Sequence, residues 1–172
     1  MGRFLTLLLA LALVTIQVVP SFAETMAPAA ERAGASLKWR GKVIPIAIST
    51  SLLRGAPNVK SGSDVLAALR SSLRTWEEAS GVEFREVVSD RQNVSAQGVV
   101  GDGVSLVTVA PTAENALLFA KNAVEVAATT RVFFDSRGRI TEAYIVLNPY
   151  QQFSTDGTFG SFDVESTLTH EL

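Results

Sequence analysis

The chain has 172 residues, of which 47% are hydrophobic and 19% are charged, a composition typical of a globular domain rather than a disordered chain. Its formal net charge of −2 provides no strongly basic surface, so we expect the protein neither to bind nucleic acid nor to associate stably with a membrane. The absence of cysteine excludes disulfides, a thiolate ligand for zinc and cysteine-based latency within this stretch.

The first 23 residues are typical of a secretory signal peptide. Arg3 supplies a positive start, Phe4 to Val19 is an apolar run, and Ser21-Phe22-Ala23 is a small-x-small cleavage site. An apolar run of 16 residues is short for a membrane span, which needs about 20 residues. We therefore expect a mature chain that starts near Glu24 and is secreted, either outside the cell or into a periplasm. An uncleaved anchor is the alternative.

A flexible lead-in and a first strand follow the signal peptide. Residues 24–38 are rich in alanine and carry mixed charges, which is typical of a flexible segment. Trp39 is expected to anchor the edge of the folded part. Ile46-Ala47-Ile48 predicts the first strand, and Pro45 restricts that strand to a strand start or a sheet edge.

The clearest predicted helix covers residues 64–80. Ser63 is its expected N-cap, and Gly81 is its expected stop. Its apolar stripe, which we interpret as core rather than as a cofactor site, consists of Leu66, Leu69, Leu73 and Trp76 at 3-4-3 spacing.

The middle of the chain predicts mainly strands. Asp135 to Arg139 is a compact turn that joins two of these strands into a hairpin. Residues 113–121 fit either a short helix or a loop, and residues 150–160 predict a loop. The order of elements predicts an α+β fold with α/β-like layers, in which a mixed twisted sheet of about five strands carries two main helices. After the first strand at residues 46–48, the other strands are predicted at residues 82–88, 104–109, 130–134 and 140–147.

The chain ends in a predicted helix that carries its only histidine. Asp163 is the expected N-cap. Val164, Leu168 and Leu172 recur every four residues and form the expected buried stripe. His170 lies about 200° around the helix from Leu168. We therefore expect His170 to face away from the packed side.

His170-Glu171 matches the start of the zinc-peptidase signature H-E-x-x-H. In that signature two histidines on one helical face bind zinc, and the glutamate assists the attacking water. The second histidine would fall two positions after Leu172. A lone His-Glu pair also occurs by chance on solvated helices, so these two residues alone leave both interpretations open.

Segments 132–135, 138–149 and 153–157, together with the run from Ser161 to Leu172, resemble the matrixin branch of the metzincin metalloproteases, in particular its exported bacterial members. The resemblance extends from Trp39 to the end of the chain and is weakest over residues 89–121. It implies that residues 39–172 are the N-terminal part of a metallopeptidase catalytic domain. This part would be a zincin-type upper subdomain, truncated within the longer motif H-E-x-x-H-x-x-G-x-x-H.

The resemblance implies zinc as the cofactor, with His170 as its first ligand. It implies that Glu171 is the catalytic general base, which takes a proton from the attacking water and passes it to the leaving amine. An extended protein or peptide substrate would pair with the backbone of an edge strand, formed by Thr130, Arg131, Val132, Phe133 and Phe134. We expect a monomer. Asp156-Gly157 is a candidate for part of a calcium loop.

Two other functions remain compatible with the sequence. An exported binding or adhesion module that ends in His-Glu by chance would continue without histidines in the register of the signature. A catalytically dead metzincin relative would keep the fold but lack ligands. The main interpretation is a secreted zinc endopeptidase. Because one histidine cannot fix zinc in tetrahedral geometry, we expect these 172 residues alone to be inactive and to bind zinc weakly.

Overall fold

The computed structural model describes residues 24–26, 37–94, 104–121 and 123–172. The predicted signal peptide, residues 1–23, lies outside these ranges. None of the helices within them is long and apolar enough to cross a bilayer. The predicted lead-in begins with a short strand, Glu24–Met26, and most of its remainder lies outside the described residues.

The described residues form nine strands and four helices. The strands are β1 (Glu24–Met26), β2 (Lys38–Trp39), β3 (Val43–Ser49), β4 (Glu83–Ser89), β5 (Ser105–Thr108), β6 (Ala128–Phe134), β7 (Arg139–Leu147), β8 (Phe153–Ser154) and β9 (Phe162–Asp163). The helices are α1 (Ser51–Arg54), α2 (Val65–Ser80), α3 (Ala113–Leu117) and α4 (Val164–Glu171). The undecided segment at 113–121 therefore contains a helix, and the predicted loop at 150–160 contains β8.

One seven-stranded sheet organises these elements. Its strands run in the order β1-β6-β7-β5-β3-β4, and β2 pairs with the start of β7. The β6–β7 hairpin is antiparallel, as the sequence predicted, and the other pairs in this sheet are parallel. The fold is a mixed α/β arrangement, in agreement with the predicted α+β class with α/β-like layers. Two short strands, β1 and β2, add to the five that the sequence indicated.

The first predicted strand is longer than its sequence signal. β3 begins at Val43 and pairs along its full length with β4. From Ile46 it also pairs with β5 on its other side, so it is not an edge strand. Pro45, which has no N–H to donate, therefore lies just before the strand acquires its second neighbour.

The ends of α2 agree closely with the sequence, apart from the cap. The N-cap is Asp64 and not the predicted Ser63, because the Asp64 carboxylate accepts a hydrogen bond from the N–H of Ala67 at 2.9 Å. Gly81 ends the helix as predicted. Its φ of 69° is left-handed, and its N–H donates to the carbonyl of Glu77 at 2.9 Å.

Apolar cores lie on both faces of the sheet, and this accounts for the four consecutive buried residues of β5. On the face that carries α2 and α4, the core includes Ile46, Ile48, Leu69, Leu73, Val107, Leu147, Val164 and Leu168. On the opposite face, it includes Ala47, Leu106, Phe119, Val126, Tyr144 and Val146. Trp76 is 38% exposed, so its prediction as a core residue was wrong.

Candidate functional site

The last helix, α4, starts as the sequence predicted, and two residues of its predicted buried stripe are fully buried, whereas the third, Leu172, is only partly buried. The Asp163 carboxylate accepts a hydrogen bond from the N–H of Ser166 at 2.7 Å, which satisfies one of the free donors at the helix N-terminus. Val164 and Leu168 are completely buried against the sheet side of the molecule. The helix therefore delivers its C-terminal residues to a fixed position beside β6.

Side-chain hydrogen bonds fix α4 against α2. The indole Nε1–H of Trp76 donates to the carbonyl of Thr169 at 2.8 Å. The Thr169 hydroxyl donates to Oγ of Ser72 at 2.9 Å, and the Ser71 hydroxyl donates to the Glu165 carboxylate at 2.7 Å. Trp76 is thus a half-exposed hydrogen-bond donor. Its bond holds the backbone immediately before the histidine.

His170 and Glu171 have different environments at the end of α4. His170 is exposed, which confirms that it faces away from the packed side. Glu171 is only 6% exposed, although the sequence gave no reason to expect it inside the protein. An exposed imidazole therefore adjoins a buried carboxyl group.

Thr130 of β6 contacts the Glu171 side chain directly. Its hydroxyl lies 2.5 Å from Oε2 of Glu171 and 2.9 Å from the carbonyl oxygen of the same residue. Thr130 is itself 6% exposed, so water has little access to this contact. The second carboxylate oxygen, Oε1, is buried and has no hydrogen-bond partner among the described residues. A buried polar atom without a partner is costly and calls for an explanation.

The environment of Glu171 changes its acidity. Burial raises the pKa of the Glu171 carboxyl above its ordinary value, and the hydrogen bond from Thr130 and the charge of His170 oppose part of that rise. A carboxyl group with a raised pKa is better matched to proton transfer near neutral pH than an ordinary one.

A cavity of about 260 Å³ lies beside Glu171, under the sheet and at the ends of α2 and α4. Its lining is mainly apolar, with few polar side chains, an arrangement that ligand sites commonly have. His170 also lines a second, open groove along the exposed side of α4, so it lies where the two spaces meet. The cavity lining includes Trp39, Ile44, Trp76, Phe84, Ser105, Thr130, Val132, Ile140, His170, Glu171 and Leu172.

Two of the five predicted substrate-strand residues point to this cavity. Thr130 and Val132 line it together with Glu171. The family resemblance implied only backbone roles for this strand and gave no role to the Thr130 side chain. The alternation of a strand would have placed Thr130 and Val132 on one face, but no local signal connects Thr130 to Glu171.

The other three predicted residues do not approach Glu171 in this way. Phe133 packs edge-to-face on Tyr144, with ring centroids 5.3 Å apart, on the opposite face of the sheet. The Arg131 guanidinium lies 5.6 Å from the Phe133 ring centroid. Phe134 follows an irregularity in the register of β6 and β7.

The outer side of β6 is occupied along part of its length. β1 pairs with it in parallel, with Thr25 opposite Thr130 and Met26 opposite Arg131. The prediction that this strand is the edge of the sheet is therefore wrong along Thr129–Arg131. The sequence did not indicate β1 because three residues are too few to show a strand pattern.

The loop before α4 contains the candidate calcium residue, Asp156. The Lys60 ammonium donates to its carboxylate and also to the hydroxyl of Thr158, at 2.6 Å. The Lys60 bond is the main cause that lowers the pKa of Asp156 to about 2. Asp156 is thus paired with a lysine of the same chain, and calcium binding at Asp156-Gly157 stays a prediction.

The described residues include one candidate ligand for zinc, His170, but no complete metal site. Within the four described ranges, no three side chains of histidine, cysteine, aspartate or glutamate lie close enough together to hold a metal ion. His170 fits the role of one ligand, because it is exposed on a well-packed helix beside a cavity. A catalytic zinc needs three protein ligands, so further ones would have to come from elsewhere.

No protein-family model matches the chain, and no curated protein or solved structure matches it either. The function must therefore be inferred from the geometry at the end of α4 and from the sequence pattern that includes His170.

Proposed function

We propose that this chain is the N-terminal part of the catalytic domain of a secreted zinc-dependent endopeptidase of the matrixin type. The observation that supports it most directly is the end of α4, where exposed His170 adjoins buried Glu171 beside a largely apolar cavity. The position of α4 on the mixed sheet, next to the antiparallel strand β6, is compatible with a zincin-type upper subdomain.

In the proposed enzyme His170 is the first zinc ligand, and Glu171 is the general base. Zinc, when bound, would polarise the scissile carbonyl and stabilise the negative charge that develops on its oxygen. The Glu171 carboxylate accepts a proton from the attacking water and later gives it to the leaving amine. Its raised pKa and its burial next to the cavity support this role. The proposal requires the remaining zinc ligands to come from residues after Leu172.

The proposed substrate is an extended segment of a protein or peptide. It pairs through backbone hydrogen bonds with β6, the strand of Thr130, Arg131, Val132, Phe133 and Phe134. Because β1 is bonded along Thr129–Arg131, a substrate strand must displace β1 there or pair along Val132–Phe134. Export of the protein to the cell exterior or periplasm follows from the signal-like residues 1–23 and is part of the proposal.

The first test is to read the gene beyond the codon for Leu172. The proposal requires histidines at the fourth and tenth positions after His170 and a glycine at the seventh. A stop codon, or a continuation without these residues, would overturn the proposal. The exported binding or adhesion module and the catalytically dead relative would then become the leading functions.

The longer chain then allows a direct test of the general base. Glu171→Gln should lower the rate of hydrolysis of a protein substrate by roughly 10²- to 10⁴-fold, because an amide cannot accept the proton. Glu78→Gln, at an exposed glutamate of α2, is the matched control and should remain active. An active Glu171→Gln variant would contradict the assignment.

A further inference from the structure

We propose that Thr130 is a positioning residue for Glu171: its hydroxyl holds Oε2 of the carboxylate and thereby fixes the orientation of the general base. This inference rests on the proposed function, which makes Glu171 the base. It adds a residue that the His-Glu pattern does not specify.

The contact distinguishes the two oxygens of the carboxylate. Oε2 lies 2.5 Å from the Thr130 hydroxyl, whereas Oε1 is buried without a hydrogen-bond partner among the described residues. The last torsion of a glutamate side chain is broad and weakly defined by itself. A short hydrogen bond to one oxygen restricts that torsion, so the other oxygen keeps one direction.

The strand that carries Thr130 is well suited to hold a side chain still. Thr130 pairs with Ile145 of β7 on one side and with Thr25 of β1 on the other. Its β-branched side chain has restricted χ1 freedom. Thr130 therefore donates from a strand that is paired on both sides, and Glu171 accepts from α4, which is itself hydrogen-bonded to α2. A reacting group needs rigid support of this kind.

Among the groups around the contact, Thr130 is the one that fixes the orientation of the Glu171 carboxylate. Among the described residues that line the cavity, His170 and Glu171 are the ionisable ones with an acidic or basic side chain. His170 is exposed and therefore not constrained by burial. In the part of the chain that the structure describes, the hydrogen bond to the Glu171 carboxylate comes from Thr130 alone.

The test uses the zinc-loaded longer enzyme and three variants. Thr130→Val keeps the shape but removes the hydroxyl, and it should lower kcat by about 10- to 100-fold with KM changed by less than about twofold. Thr130→Ser keeps the hydroxyl and should recover most of kcat. Thr167→Val is the matched control: it removes another buried hydroxyl, one that bonds to the Asp163 carbonyl at 2.7 Å, and should stay near the unsubstituted rate.

The outcomes separate this inference from the proposed function. Absence of hydrolysis by the unsubstituted zinc-loaded enzyme would overturn the proposed function. An active enzyme whose Thr130→Val variant keeps its kcat would overturn the role of Thr130 alone. So would a loss of kcat that Thr130→Ser does not restore, because a merely structural role gives that result. If Thr130→Val does not fold, Thr130→Ala removes the same hydroxyl without placing a methyl group against the Glu171 carboxylate and should show the same loss.

Discussion

The two main helices lie on the same face of the sheet, but different forces hold them. α2 is attached by leucines that are almost completely buried, Leu69 and Leu73. α4 is half as long and adds directional hydrogen bonds to its apolar contacts, through Trp76, Ser72 and Ser71 of α2. Burial of apolar surface attaches an element without fixing its orientation, whereas hydrogen bonds depend on angle. α2 therefore provides stability, and α4 provides a defined direction for His170 and Glu171.

The largest expected effect is on the attachment of α2. Leu69→Ala should lower the free energy of unfolding by about 2–5 kcal/mol, because it leaves a cavity in the core. Urea denaturation followed by circular dichroism measures this change. Leu53→Ala is the matched control, since Leu53 is 46% exposed, and it should change stability by less than about 0.5 kcal/mol. Equal losses in both variants would contradict an apolar attachment of α2.

A smaller effect should separate orientation from attachment. Trp76→Phe keeps an aromatic ring and removes the indole donor to the Thr169 carbonyl, which should cost about 1 kcal/mol. Amide hydrogen exchange should then increase in the last turn of α4, whereas the middle of α2 around Leu69 keeps its protection. A uniform increase in exchange across both helices would show that the indole bond does not act on α4 in particular.

The smallest effect is expected in the loop that leads into α4. The pKa of Asp156 is lowered to about 2, so its pairing with Lys60 contributes stability above the ordinary pKa of the carboxyl. That contribution is lost as the pH falls toward 2. Lys60→Met should therefore lower the melting temperature slightly at pH 5 to 7, and the difference from the unsubstituted chain should shrink toward pH 2. Lys42→Met, at an exposed lysine outside this loop, is the control. A difference independent of pH would contradict the pairing.

Local patterns in the sequence were sufficient for most of the fold. The leucine spacing predicted α2 to within a residue, and the turn at Asp135 predicted the β6–β7 hairpin, because both signals act between near neighbours. The cap was displaced by one residue because Ser63 and Asp64 are both good caps and only the final geometry distinguishes them. The position of His170 followed from the helical period.

The remaining features of the site depend on contacts between distant residues. Thr130 and Glu171 are 41 positions apart, and nothing in either local sequence indicates that their side chains meet. Trp76 belongs to an apolar stripe by spacing, yet its polar N–H bonds to α4. A tryptophan has an apolar ring and a polar N–H, so it fits both an apolar stripe and a hydrogen-bonding position. Only the packing of α2 against α4 determines which of these roles Trp76 takes.

The pairing of β1 with β6 also affects how separate copies of the chain behave toward one another. A sheet edge with free backbone groups is a template for strands of other molecules, and proteins commonly protect such edges from aggregation. Glu24–Met26 pairs with the backbone of Thr129–Arg131, so the outermost strand at this point has only three residues and offers a short template. The residue at which an expressed chain starts therefore affects its solubility. A chain that begins after Met26 should keep the same core but expose the backbone of Thr129–Arg131 at the sheet edge, and it should be less soluble at high concentration.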